Sequence, residues 1–121
     1  MTTDTCCCCS IHPYFQVAPG KLAAFKALSQ RFVERTQSEP GCLYYGFSFD
    51  GETAHCREGY QNAQALLAHL ANVDDLISEA LTIATITRVE VHGPEAELEK
   101  LREPLADLKP QFFTLECGIR K

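Results

Sequence analysis

An α+β fold built on one antiparallel sheet is what this chain predicts, and three observations carry it. Apolar residues recur at helical spacing in some stretches and alternate with polar ones in others. Those stretches follow one another as strand, helix, strand, strand, helix, strand, helix, strand. The 121 residues are 45% hydrophobic and 22% charged, a size and balance suited to one domain around one core.

Residues 10–17 are rich in β-branched and aromatic types, and Pro19-Gly20 ends them, so they read as the first strand. Pro13 has no amide to donate and favours an edge or early position there. Across residues 21–37, Leu22, Phe25, Leu28, Phe32 and Val33 fall at helical spacing, with Lys26, Gln30, Glu34 and Arg35 elsewhere. Glu39-Pro40-Gly41 stops that helix. Residues 42–49 form an aromatic strand, Asp50-Gly51 signals a hairpin, and residues 53–60 return as its partner. Ala54, Cys56, Glu58 and Tyr60 share one face of that return strand, and Thr53, His55, Arg57 and Gly59 the other.

Asn62 can cap a helix over residues 63–71, a break at Asn72 leads to a short helical piece at 73–80, and residues 82–92 read as a strand closed by Gly93-Pro94. Pro94 suits the first position of a helix continued by Leu98 and Leu101 and interrupted at Pro104, and residues 111–117 make a last strand. The first six elements are the βαββαβ unit of a ferredoxin-like sandwich, here with an extra C-terminal helix and strand. Its helices cover one sheet face. Strands 11–17 and 42–49 are apolar or aromatic on both sides, so the open face asks for cover, and a symmetric homodimer supplies it.

Eleven Lys and Arg against sixteen Asp and Glu leave a net charge of −5, which argues against a nucleic-acid partner. The basic excess of Lys21, Lys26, Arg31 and Arg35 reads as a solvated helix face. No apolar run has the length of a membrane span, and the first residues lack a signal-peptide pattern, so a cytoplasmic protein is expected. Seven cysteines cannot all pair within one chain, which makes free thiols the expectation. Four are consecutive, Cys6 to Cys9. Neighbours in an extended chain point to opposite sides and cannot all reach one ion, so residues 1–9 read as a flexible Cys-rich leader to a single domain spanning 10–121, with no metal site. Cys42, Cys56 and Cys117 read as small core residues.

Candidate chemistry gathers between Glu58 and His69. On a helix, Asn62, Leu66, His69 and Val73 share one stripe, and its apolar members turn it toward the sheet. His69 is then either a core histidine whose nitrogens are satisfied, with Glu58 as one partner, or a pocket group that positions or deprotonates a phenol. Glu58 and His69 form either a structural pair or a tuned acid–base couple, and Asn62 either a helix cap or a substrate ligand. His12, Tyr14, Tyr44, Tyr45 and His55 sit on strands whose exposed side the sequence leaves open, and His92 reads as a loop residue.

Three segments in order carry a resemblance: Val17-Ala18-Pro19-Gly20-Lys21, Glu39-Pro40-Gly41-Cys42-Leu43, and Glu58-Gly59-Tyr60-Gln61-Asn62 followed by Ala65, Leu66 and His69. Over residues 10–92 the chain resembles the antibiotic-biosynthesis-monooxygenase-like domains of the dimeric α/β barrel superfamily. The resemblance implies a homodimer acting on a small aromatic or quinol-type substrate without a cofactor. His69 or Glu58 would be its base, with Tyr60 and Asn62 orienting the substrate and Leu66 beside it. The family's usual aromatic two residues after the Glu is Tyr60 here, and the chain has no Trp. Haem-degrading relatives use an Asn, a Trp and a His together, of which only Asn62 and His69 have counterparts. The alternative is a non-catalytic dimer that binds a small ligand or haem.

Overall fold

A computed structural model describes residues 7–121. Its elements are β1 (Cys9–Val17), α1 (Leu22–Thr36), β2 (Cys42–Asp50), β3 (Thr53–Tyr60), α2 (Ala63–Asn72), α3 (Asp74–Ala80), β4 (Ala84–Gly93), α4 (Glu95–Arg102), a 3-10 turn (Ala106–Leu108) and β5 (Gln111–Thr114). The strand order β2-β3-β1-β4-β5 contains the expected ferredoxin-like arrangement of the first four strands. Every pair among those four is antiparallel. The sheet as a whole is mixed, which corrects the antiparallel expectation. α4 carries the chain back along β4, so β5 adds to the edge in parallel, pairing Glu90 with Gln111 through Gly93 with Thr114. The sheet is open, with β2 and β5 at its edges.

Four details depart from the sequence reading. β1 lies in the middle of the sheet, so Pro13 is not on an edge strand. The ladder accommodates it by a break: β1 pairs with β3 at Ile11–Glu58 and again at Tyr14–His55, with no paired residues between. Second, β1 starts at Cys9, which is buried with its thiol directed at the Cys7 carbonyl at 3.6 Å. Burial pushes the Cys9 thiol up to about 12, far from a reactive thiolate. Cys6 lies outside the described residues. Third, β5 stops at Thr114, which leaves Cys117 exposed beyond the strand instead of in the core. Fourth, Pro94 precedes α4 with extended backbone, and its carbonyl accepts the amides of Glu97 and Leu98.

Two apolar clusters fill the space between sheet and helices. Phe15, Phe25, Phe32 and Leu76 anchor the one under α1 and α3, and Tyr60, Leu66, Val91 and Leu98 the one under α2 and α4. The hairpin turn between β2 and β3 needs positive φ, which Gly51 supplies at +59°. A closer constraint falls on Gly41, where a Cβ would meet the Ala65 Cβ at 2.5 Å. Glycine there lets the α1–β2 loop lie against α2. No described helix is long and apolar enough to cross a membrane.

The first turn of α2 is held from two sides. The Asn62 side chain accepts the Ala65 amide at 2.8 Å, and the buried Glu97 carboxylate, reaching across from α4, accepts the Ala63 amide at 2.9 Å and the Lys100 ammonium at 2.9 Å. The Ala63 amide and then Lys100 hold the Glu97 carboxyl below its ordinary value. A carboxylate with a depressed folded-state pKa stabilises the fold at pH above its unfolded value, and that contribution is lost as pH falls through the depressed one. Glu97→Gln is therefore expected to lower unfolding stability by about 1–3 kcal/mol at neutral pH. Urea titrations of both proteins should show the gap closing in acid.

Candidate active site

One strand, one helix and one loop bring a buried polar row together. Glu58 and Tyr60 lie two residues apart on β3, so both point toward the helices. His69 lies on the inward stripe of α2 with Ala63 and Leu66. Glu39 enters from the α1–β2 loop, whose approach to α2 depends on Gly41. His69 is 2% and Glu58 4% exposed, so the row is sealed from bulk water except through Glu39.

The geometry is continuous. His69 Nδ1 faces both Glu39 oxygens at 3.0 and 2.9 Å, and Asn72 Nδ2 donates to Glu39 Oε2 at 2.7 Å. On its other side, His69 Nε2 stands 3.3 Å from Glu58 Oε1. The Tyr60 hydroxyl donates to that same oxygen at 2.5 Å. The imidazole is flanked by the rings of Tyr45 and Tyr60, with centroids at 5.0 and 5.1 Å. The Cys56 thiol adds a hydrogen bond to Glu58. Among the described residues, no buried side-chain nitrogen or oxygen lacks a partner.

Electrostatics follow from burial. Removal from water pushes the Glu58 carboxyl above its ordinary value of 4.5, and the nearby Glu39 adds to that rise. His69, Tyr60 and Cys56 oppose it. The Tyr45 and Tyr60 hydroxyls and the Cys56 thiol are pushed well up by the same burial, so they act as neutral donors.

Glu58, His69, Cys56 and Tyr45 line one end of a cavity of about 60 Å³ whose remaining walls are apolar, among them Phe15, Phe32 and Phe47. It occupies the seam between the two clusters: Ile11 and Val89 belong to one, Phe15, Phe32 and Val73 to the other. The break in the ladder at Pro13 also opens onto it.

The structure thus brings together Glu58, His69 and Tyr60, though the Tyr60 hydroxyl is turned to Glu58 and the residue does not line the cavity. Leu66 is fully buried in the core under α2 and also stands back from the cavity. Asn62 caps α2. The sequence reading passes over Glu39 and Cys56 as site residues and leaves open which way Tyr45 points, which the structure settles toward the cavity. Period-two alternation from Glu58 is the signal that finds Cys56, whereas Glu39 gives none beyond ending a helix. His12, Tyr14, His55 and His92 lie together on the open sheet face, with ring centroids 4.6–5.7 Å apart, and His92 is a strand residue rather than a loop one.

This fold and site define a small α+β domain with an inward acid–base row above an apolar seam. The family profile described as antibiotic biosynthesis monooxygenase matches residues 10–74. The chain belongs to the antibiotic biosynthesis monooxygenase family. Among solved structures it is similar to MupZ from Pseudomonas fluorescens, with 52% identity and a TM-score of 0.95 over 100% of this chain and 94% of that one. It shares its fold with a variant of SnoaB, a cofactor-independent oxygenase from Streptomyces nogalater, at 13% identity and a TM-score of 0.64 over 70% of this chain and 90% of that one. An uncharacterized protein of Synechocystis is 50% identical over 38 residues, 31% of this chain, and the match spans only 25% of that relative's length.

Tyr60→Phe removes the hydroxyl that helps hold Glu58 down, so the Glu58 carboxyl should titrate at higher pH than in the wild type. Carbon-13 NMR of the side-chain carboxyls reads this directly, and an unchanged Glu58 titration contradicts the role given to Tyr60.

Proposed function

We propose that the protein is a monooxygenase working without a bound cofactor on a small aromatic or quinol-type substrate, with Glu58 and His69 as its acid–base couple. The observation that carries this reading is a carboxylate and an imidazole 3.3 Å apart at the polar end of an otherwise apolar cavity. A structural ion pair needs no void beside it. The family's name and the fold shared with an oxygenase support the same chemistry.

The substrate supplies the electrons. Glu58, as carboxylate, takes the O–H proton of a phenol or quinol, leaving a phenolate whose charge is shared with a ring carbon. That carbanion-like carbon passes one electron to dioxygen, and the radical pair combines to a peroxide that takes its proton back from Glu58. Loss of the C–H proton from the same carbon then breaks the O–O bond, leaving a second carbonyl on the substrate and releasing water. An apolar seam suits both dioxygen and a ring, and it keeps the carbanion from being reprotonated by water. At 60 Å³ the cavity is well below the roughly 150 Å³ that accommodates benzene, so the closed form holds the reacting edge and must widen for a whole ring.

Oxygen uptake with quinols and anthrone-like phenols tests the reading. Glu58→Gln and His69→Ala should each lower kcat/KM by about 10²–10⁴-fold. Because the base acts deprotonated, the wild-type rate should fall as pH drops through the Glu58 value, which lies above 4.5, and Glu58→Gln should lose that limb. Wild-type uptake no faster than that of a Glu58→Gln, His69→Ala double variant overturns the proposal. A ligand that raises the melting temperature without turnover, or a Soret shift on haem titration, would then support a binding protein instead.

We further propose that two copies pair through the open sheet faces, where Tyr44 is exposed and Tyr14, His55 and His92 are half-buried with no helix over them. Light scattering after size exclusion should give about twice 13.5 kDa at micromolar concentration, and a monomer mass overturns it.

A further inference from the structure

We infer that Glu39 is a positioning residue for the candidate site: it keeps the proton shared by His69 and Glu58 on the imidazole, which leaves Glu58 as a carboxylate toward the cavity. The inference rests on the acid–base reading above and adds to it the group that sets the charge of the base.

The geometry excludes direct contact with a cavity ligand. Glu39 does not line the cavity and instead borders two surface pockets, one with Pro40 and Gly41 and one with Gln37 and Cys42. Its side chain is 13% exposed, so its charge keeps some solvation, whereas Glu58 has almost none. Asn72 fixes it by a hydrogen bond at 2.7 Å. Both of its oxygens lie within 3.0 Å of Nδ1, so that nitrogen carries a proton and only Nε2 is left to exchange one with Glu58.

Transfer breaks the O–H bond of Glu58 and forms an N–H bond at Nε2, with the Nδ1 proton retained and the total charge unchanged. The product is an imidazolium between two carboxylates. Its positive charge is in contact with Glu39, while the repulsion between Glu39 and Glu58 acts across the full width of the ring. Attraction at contact outweighs repulsion at the longer distance, the more so in a poorly solvated site. The other groups facing the row are the Tyr45 and Cys42 side chains from β2 and the Cys56 and Tyr60 side chains from β3, all uncharged donors when protonated. Among the described residues no lysine or arginine makes an ion pair with Glu39 or Glu58, and Arg35, whose guanidinium donates to the Asn72 carbonyl, is paired with Asp75.

The test needs no substrate. Nitrogen-15 NMR of the histidine rings at neutral pH should show His69 as an imidazolium in the wild type and as a neutral imidazole in Glu39→Gln. An infrared difference spectrum, wild type against Glu58→Gln, should show loss of a carboxylate and of no neutral acid. A neutral His69 in the wild type, an imidazolium that persists in Glu39→Gln, or a neutral-acid band for Glu58 each overturns the inference. If Glu39→Gln fails to fold, the two wild-type measurements still decide. A hydrogen bond serving stability alone would leave the His69 charge unmoved. Because the readout is a charge state, it fails or holds independently of oxygen uptake.

Discussion

The constraint that organises this molecule is the burial of Glu58 and His69 between two apolar clusters. A carboxylate removed from water without partners costs several kcal/mol, enough to matter against the whole stability of a domain this size. The structure meets that cost by giving each group in the row a partner: Tyr60 and Cys56 on Glu58, Glu39 on His69, and Asn72 on Glu39. The row runs from partly exposed Glu39 to fully enclosed Glu58, which leaves the outer carboxylate in touch with solvent and the inner one against the cavity. At the seam between the clusters, sheet and helices leave space beside charge.

Features that look like ordinary scaffold hold this row in place. Gly41 lets the loop bearing Glu39 settle on α2, since any Cβ would collide with Ala65. Asn62 and Glu97 fix where α2 begins, and the position of that first turn sets the depth of His69 two turns later. Pro13 interrupts the β1–β3 ladder directly beside Glu58 and lines the cavity, so the backbone itself is open where the site needs room. On the other face of the sheet, His12 sits beside His55 and His92 with centroids at 5.7 and 5.0 Å. Burial first, and then the two neighbouring imidazoles, lower the His12 pKa, which favours its neutral ring.

The elements and their faces were largely legible in the linear chain, because each is governed by a short repeat. Alternation along β3 placed Glu58 inward, and the stripe through Leu66 placed His69 inward. Local chemistry also identified the Asn62 cap and the break after it. What local reasoning misplaced were features that depend on neighbours far away in sequence: the central position of β1 despite Pro13, the parallel addition of β5, and the exposed Cys117. The same limit explains Glu39. Its hydrogen bond to His69 spans 30 residues, and no periodicity links a loop carboxylate to a helix face.

The sequence by itself determined the α+β class, the order of elements and the inward direction of Glu58 and His69, since period-two and period-3.6 patterns express which side of each element avoids water. Only the tertiary structure decided what those two residues meet. That depended on the approach of the α1–β2 loop to α2 and on the meeting of two clusters from opposite ends of the sheet. Distances of about 3 Å between groups on separate elements arise from packing of the whole chain, and packing is not encoded in any single stretch of it.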